Sequence, residues 1–257
     1  MNGSVLVPAH RVRPGGQEAI NRDIAIEAPI AIEYNGIGYA VMMATPTDFE
    51  DFATGFSLCE RIVSKPSEIE DIEAHQTPLG WLLKIQISQR CVDPMVERVR
   101  VRVSESSCGL CGLENLEQVM RPLPEITARI EVGDSAIFAA IGALRDHQPL
   151  NAATGGVHAA AFCATDGRIL IAREDVGRHT AFDKLIGALS RAGVSPSTGF
   201  FLLSSRCSYE LVEKAVVAGC PLLVTLSTAT SLAIERAKSC GLRLYALARP
   251  DAFLAGS

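Results

Sequence analysis

The sequence predicts an α/β protein with a layered core on a mainly parallel sheet, preceded by a smaller N-terminal α+β region. Two observations carry this. From Arg121 onward, apolar strand-like runs alternate with helix-like segments through short connections, the pattern of a layered domain with right-handed crossovers. Before Arg121, an Asn-Gly turn and runs of alternating polarity read as strands accompanied by a helix. The Pro-rich stretch RPLPE, starting at Arg121, separates residues 1–120 from residues 121–257.

The elements follow in chain order. IAIEY and IGYAVMM flank Asn35 and Gly36, whose preference for left-handed backbone angles predicts a two-residue hairpin. Thr47 and Asp48 are placed to cap a helix with Phe49, Phe52, Phe56 and Leu58 roughly on one side, ending near Arg61. WLLKIQI and VERVRVRV alternate and read as half-buried strands. Beyond the boundary, AIFAAIGALRDH reads as a helix. VHAAAFC and RILIA read as strands joined by a turn at Asp166 and Gly167, and the segment after Arg178 as a helix stopped by Gly193. FFLLS, PLLVTL and LRLYALA are three further strands. The helices between them run from Ser208 to Gly219 and from near Ser231 to Gly241. No internal repeat or low-complexity segment interrupts the pattern.

Composition removes several functions. The 257 residues are 48% hydrophobic and 21% charged, ordinary for a globular chain with a sizeable core. A net charge of −5 argues against duplex nucleic acid, whose phosphates demand clustered Lys and Arg. Pro8 and Pro14 interrupt the N-terminus before a signal-peptide apolar run develops, and no stretch approaches a membrane span, so the expected location is the cytoplasm. No GxxxxGK[ST] phosphate loop is present, which disfavours an ATPase or GTPase of that class.

Eight cysteines in a chain this long and apolar read as reduced thiols rather than staples. Cys163 and Cys220 sit in or beside apolar strands, where a thiol behaves as a small buried hydrophobe. Cys108 and Cys111 differ: SSCGLCG separates them by two residues and follows each with a glycine, Gly109 and Gly112, in a loop suited to exposure. An accessible thiolate on a mobile loop is what sulfur relay needs, since it must attack a donor persulfide and then reach an acceptor. Structural zinc would need two further ligands, and neither a second CxxC nor an HxxxH is present. A thioredoxin-like pair would normally open a helix after a first strand near the chain start. An inert surface loop stays open as a reading of the same residues.

A second set of residues gathers at predicted strand ends. Gly155 and Gly156 precede His158, where a tight turn competes with close approach of backbone to phosphate. REDVGRH packs Arg173, Glu174, Asp175, Arg178 and His179 between a strand and a helix, with Asp183 and Lys184 a turn further on. Surface ion pairs around a helix start compete there with a ligand site. Arg206 follows FFLLS, while Thr228, Thr230 and Ser231 follow PLLVTL, so these polar groups would collect along one sheet edge into a nucleotide-sized site. A zinc deaminase would carry Glu two residues after the histidine and a PCxxC; here Ala160 stands at that position and no PCxxC occurs.

SSCGLCG, TGGVHAAAF, REDVGRHTAFDKLIG, SYELVEKAVVAGCPLLV and TSLAIERAKSCG occur in the order seen in the formate dehydrogenase accessory sulfurtransferase family, FdhD/NarQ. The chain resembles that family from IAIEAPIAIEYNG to near its C-terminus. The resemblance implies a cytidine-deaminase-like α/β core. It implies a sulfurtransferase that takes sulfur from a cysteine desulfurase and passes it to the molybdenum bis-molybdopterin guanine dinucleotide cofactor, bound as substrate, for formate dehydrogenase. Cys108 matches the persulfide-bearing cysteine and Cys111 its partner. The family's cofactor-binding stretch falls on Leu247, Ala248, Arg249, Pro250, Asp251 and Ala252, with no metal held directly by the protein, and the family's fold implies a homodimer. A cofactor-binding chaperone without sulfur transfer is the alternative, and a deaminase-type hydrolase is weakened by Ala160. The chain departs from the family's usual glycine at Ser205, at Pro250 and after Glu60.

Overall fold

The computed structural model describes residues 3–104 and 121–256, with the backbone alone for 98–104. Among these residues the chain forms three sheets and seven α-helices. Strands β1 (Ser4–Arg13) and β2 (Gly16–Ala25) make a two-stranded ribbon turning at Gly15, φ 101°. Both strands of a ribbon are edges, which is why Pro8 is tolerated inside β1. Alternation in the ribbon is weak, and the sequence carries no strong signal for it.

The second sheet has the order β4-β3-β6-β5, from β3 (Ala28–Tyr34), β4 (Ile37–Ala44), β5 (Ile69–Thr77) and β6 (Gly80–Ile87). The hairpin between β3 and β4 turns where the Asn-Gly pair predicts, with φ 48° at Asn35 and 83° at Gly36. The Asn35 side chain also serves the neighbouring strand, its Nδ2 donating to the Ile87 carbonyl at 3.0 Å and its Oδ1 accepting from the Ile87 amide at 2.8 Å. Ile30, Ile32, Leu83, Ile85 and Ile87 present one apolar face to helix α1 (Phe49–Cys59) and to α2 (Gln89–Ser104).

Helix α2 corrects the strand expected for VERVRVRV. The segment begins upstream at Gln89, where Cys91, Val92, Met95 and Val96 recur with helical spacing and turn inward. The alternation from Val96 onward continues an established helix. Asp48 stands at the N-cap of α1 with φ 53° and no side-chain bond, so the expected cap holds in position only. Arg61 lies at φ 55°, the left-handed region that favours glycine, where the family resemblance leads one to expect Gly.

The third sheet has the order β12-β11-β10-β9-β7-β8, from β7 (His158–Ala164), β8 (Ile169–Asp175), β9 (Gly199–Leu203), β10 (Leu222–Thr225), β11 (Arg243–Ala246) and β12 (Leu254–Ala255). It is mixed, not mainly parallel: β9, β10 and β11 run parallel, while β7, β8 and β12 pair antiparallel. The turn at Gly167, φ 89°, accounts for the β7–β8 pair, since a short hairpin forces antiparallel pairing. Helices α5 (Arg178–Arg191), α6 (Tyr209–Val217) and α7 (Ser231–Ser239) cover one face through Phe182, Leu185, Leu211, Val212, Ala233 and Ala237. Helix α3 (Asp134–Ala143) covers the other with Ile137, Ala140 and Ile141, and the short α4 (Pro149–Thr154) leads into β7. Cys163 and Cys220 are fully buried, as expected of small hydrophobes.

The two larger sheets are joined helix to helix. A Cβ on Gly55 of α1 would stand 1.8 Å from the Asp183 carbonyl oxygen of α5, and one on Gly187 of α5 would stand 1.9 Å from the Asp51 carbonyl oxygen. The backbones therefore touch where they cross. Either glycine replaced by alanine must push the helices apart, and Gly55→Ala or Gly187→Ala should cost about 2–4 kcal/mol in urea unfolding. An effect within about 0.5 kcal/mol, the range of ordinary surface changes, would contradict this packing.

Candidate functional site

The loops after β8, β9, β10 and β11 and the start of β7 share one edge of the mixed sheet. His158 opens β7 directly opposite Asp175, the last residue of β8. Asp175 is fully buried. Its Oδ2 lies 2.7 Å from Lys184 Nζ and accepts the Thr45 amide at 3.1 Å, while Oδ1 accepts the Gly177 amide at 2.8 Å. Lys184 also donates to the Thr45 carbonyl at 2.9 Å and to Thr47 Oγ1 at 3.2 Å. Burial raises the Asp175 pKa even with these partners around it.

The charge density of REDVGRH thus divides into two jobs. Arg173 reaches Asp51 of α1 at 2.7 Å, and Glu174 accepts the amides of Leu150 and Asn151 at 2.8 Å, capping α4. Arg173, Glu174, Asp175 and Lys184 hold the scaffold. Arg178 and His179, which open α5, are left at the edge, and Arg178 Nε is buried with no hydrogen-bond partner.

Arg206 is brought to the same place by the end of β9. The Ala159 amide donates to Ser204 Oγ at 2.8 Å, the Ser204 amide donates to the Ala159 carbonyl at 3.0 Å, and Thr225 Oγ1 donates to the Ser205 carbonyl. These bonds fasten the turn between β7 and β10 and leave Arg206 exposed. Burial and then the charges of Arg178 and Arg206 lower the His158 pKa. Burial, then Lys214, Arg178 and His158 push His179 down to about 4. Glu210 Oε2, 3.2 Å from His179 Nε2, does not reverse this because it is half exposed and screened by water. The edge therefore offers two guanidinium groups beside two neutral imidazoles, suited to anionic oxygens together with groups that exchange hydrogen bonds with a neutral ring.

Gly155, at φ 69°, closes α4 in the left-handed conformation, and Arg22 of the ribbon donates to the Thr154 carbonyl beside it at 3.0 Å. A Cβ on Gly156 would meet only Ala25 Cβ at 3.9 Å. The tight-turn reading accounts for Gly155. The stretch from Leu247 to Ala252 follows β11: the Leu247 amide donates to the Ser227 carbonyl and the Ala248 amide to the Thr225 carbonyl, both at 3.0 Å. Leu247 has φ 51° and Ala248 is buried, whereas Arg249, Pro250, Asp251 and Ala252 are exposed in a loop closed by the Arg249 amide and the Ala252 carbonyl at 2.8 Å. Beside it, Ile234, Leu242, Leu244, Leu247 and Leu254 line an apolar cavity of about 350 Å³. This stretch shares the edge with His158, Arg178 and Arg206 and comes nearer to Arg206, since Thr225 bonds both Ala248 and Ser205, than to His158, because β7 and β11 stand three strands apart, or about 14 Å.

Lys214, Glu210 and Thr45 escaped sequence reasoning. The Glu-to-Lys spacing of four in SYELVEK was the available signal for the first two. Cys108 and Cys111 lie outside the described residues. Every other cysteine is buried and free: Cys59, Cys91, Cys163, Cys207, Cys220 and Cys240. Among the described residues no helix is long and apolar enough to cross a membrane.

A mixed sheet covered by helices on both faces, with basic side chains gathered at the strand-end loops of one edge, defines an α/β protein. Comparison with known proteins narrows the class. The FdhD/NarQ family model matches residues 25–255. A sulfur carrier protein FdhD of Variovorax paradoxus is 43% identical over 247 residues, covering 96% of this chain and 88% of its own. Its counterpart from Bordetella petrii is 41% identical over 241 residues, covering 93% and 87%. The crystal structure of a protein from Desulfotalea psychrophila, assigned as a formate dehydrogenase accessory protein, shares the fold at TM-score 0.77 and 23% identity, over 99% of this chain and 96% of that one. The chain belongs to the FdhD/NarQ family.

The neutral His179 has a consequence in acid. Its folded value of about 4 lies below the ~6.5 of an unfolded histidine. Between those values the unfolded chain binds a proton that the folded chain refuses, so stability falls as pH falls. His179→Gln lacks this penalty. Denaturant unfolding from pH ~6.5 to ~4 should shift in favour of the variant as the medium acidifies; parallel curves would contradict a buried neutral ring.

Proposed function

We propose that this chain is a sulfur carrier. It accepts sulfur from a cysteine desulfurase as a persulfide on Cys108, with Cys111 as partner, and passes it to the molybdenum bis-molybdopterin guanine dinucleotide cofactor needed for formate dehydrogenase activity. The observation that carries the reading is the distribution of cysteines within a family whose relatives are named sulfur carriers. Six of the eight are buried. Burial raises the thiol pKa of Cys59, Cys163, Cys207 and Cys220, the last two to about 12, the opposite of what a nucleophile requires. The pair in SSCGLCG is left for the chemistry.

In the loading step the Cys108 thiolate attacks the outer sulfur of the donor's persulfide. A sulfur–sulfur bond forms on Cys108 as the donor's own breaks, the electron pair returns to the donor's cysteine as thiolate, and no net oxidation occurs. The acceptor is a substrate held by its guanine ends: Arg178 and Arg206 for phosphate, His158 and His179 for neutral polar groups, and Leu247 to Ala252 further along the edge. The core supports a deaminase-like reading, in which a hairpin is followed by three parallel strands linked through helices. The cytoplasm suits reduced thiols, and a homodimer fits the family resemblance.

Two measurements test the proposal. Mass spectrometry after incubation with a desulfurase and cysteine should show one added sulfur on the parent protein and none on Cys108→Ala. Full dehydrogenase activity in cells whose only copy is Cys108→Ala would replace the carrier by a cofactor-binding chaperone. For the cleft, calorimetry should detect GDP binding, weakened by about 1.5–3 kcal/mol in Arg178→Ala through loss of a charged hydrogen bond to phosphate. Unchanged affinity would remove Arg178 from the contact set.

A further inference from the structure

The turn that precedes Arg178 is held by residues from the first half of the chain. Thr45, between β4 and α1, is fully buried and engages that turn and helix α5 with three of its atoms. Its amide donates to Asp175 Oδ2 at 3.1 Å, its Oγ1 accepts the Val176 amide at 3.2 Å, and its carbonyl accepts a hydrogen bond from Lys184 Nζ at 2.9 Å. Asp175 Oδ1 accepts the Gly177 amide at 2.8 Å, so both amides between Asp175 and Arg178 are occupied. A Cβ on Gly177 would stand 3.6 Å from the Met43 carbonyl oxygen, which sets the turn against the end of β4.

We propose that Thr45 is a positioning residue for the anion site: by holding the Val176 amide, its hydroxyl fixes the turn from which Arg178 and His179 emerge. This rests on the nucleotide reading of the edge and deepens it. The proposed contacts His158, Arg178, His179 and Arg206 all lie in the second half of the chain, and Thr45 makes the first half part of the same site.

Gly177 is the N-cap of α5 and gives the helix no side-chain cap, so the preceding turn sets the placement of Arg178. Glycine leaves such a turn soft. Arg178 Nε is buried without a hydrogen-bond partner, so no bond at that atom holds the side chain in place. Backbone freedom left in the turn would have to be removed when an anion binds, and that entropy subtracts from affinity. The Thr45 hydroxyl removes it beforehand. Thr45 itself touches no ligand in this scheme, being buried together with the side chains of Asp175 and Lys184.

Calorimetry with GDP and amide hydrogen exchange separate this role from a purely structural tie. Thr45→Val keeps the side-chain shape and removes the acceptor, and GDP affinity should fall about three- to tenfold, the worth of one neutral hydrogen bond. Thr45→Ser, which returns the hydroxyl, should restore it. Arg191→Gln loosens the same seam at the far end of α5, where Arg191 reaches Asp51 at 2.7 Å, and should lower stability in urea while leaving GDP affinity unchanged. In the parent protein, GDP at about 100 times its dissociation constant should slow exchange of the Val176 amide about a hundredfold, because the opening that frees this amide also dismantles the site. Parent-like affinity in Thr45→Val, a loss that Thr45→Ser does not restore, or an equal loss in Arg191→Gln overturns the role of Thr45. Val176 exchange that ignores bound GDP does the same, and it decides alone where Thr45→Val does not fold. A parent that binds no GDP overturns this role together with the nucleotide reading; each of the other failures requires a parent that binds.

Discussion

The molecule depends on the contact between α1 and α5, where Gly55 and Gly187 let two helix backbones touch. That crossing is the seam between the antiparallel-edged sheet of the first half and the mixed sheet of the second. Around it lie polar ties that cross the same seam: Arg173 and Arg191 both reach Asp51, and Lys184 and Asp175 close on Thr45. Buried ion pairs contribute little net stability, because desolvation offsets their attraction, yet losing one partner leaves a costly bare charge. Their effect here is to select one register. Only when α5 sits at this depth do Lys184 and Asp183 find their partners, and only then do Arg178 and His179, at its first turn, arrive beside His158 and Arg206.

Legibility from sequence followed the range of the signal. The Asn35-Gly36 hairpin, the strand pair around Gly167 and the helices on either side of PLLVTL were legible because their determinants are local. VERVRVRV misled because its alternation was read from Val96, whereas the helical spacing of Cys91, Val92, Met95 and Val96 decides the segment. The parallel character of the sheet was overestimated for a similar reason: crossovers linking β9, β10 and β11 were legible, but the pairing of β7 with β9 is settled in three dimensions. For the site, the edge location of Arg178, His179 and Arg206 followed from strand-end logic. The separation of scaffold charges from those left at the edge did not, since Arg173 and Glu174 find their partners at Asp51 and in α4, more than twenty residues away.

Two positions at which the family resemblance leads one to expect glycine hold other residues, and only Arg61 of the two has left-handed backbone. Arg61 adopts φ 55° at the position where the family resemblance leads one to expect glycine, and its guanidinium donates to the Pro122 carbonyl at 3.1 Å. The left-handed conformation costs a non-glycine residue about 1–2 kcal/mol, and the side chain recovers part of that by tying the end of α1 to the segment leading into the second half. Ser205 also replaces an expected glycine, and its hydroxyl donates to the Arg206 carbonyl at 2.9 Å. Each side chain makes a hydrogen bond that glycine could not, and at Ser205 this carries no left-handed strain. The edge beside Arg206 is correspondingly more constrained.

The burial of six cysteines bears on how a carrier avoids losing its cargo. Thiol–disulfide and persulfide exchange proceeds through thiolates, at rates set by their population and access. A chain with several reactive thiols would let a bound sulfur atom migrate among them, or close the loaded cysteine into a disulfide with the wrong partner. Cys163 and Cys220 are sealed within the mixed-sheet layers, Cys207 beneath the edge and Cys59 against Asp183, each with burial holding its proton on. Cys207 matters most in this respect, because it follows Arg206 at the basic edge. Its fully buried side chain and a pKa pushed up to about 12 keep this thiol inert beside the basic edge. The same packing that stabilises the core therefore keeps these four thiols protonated and out of reach of exchange.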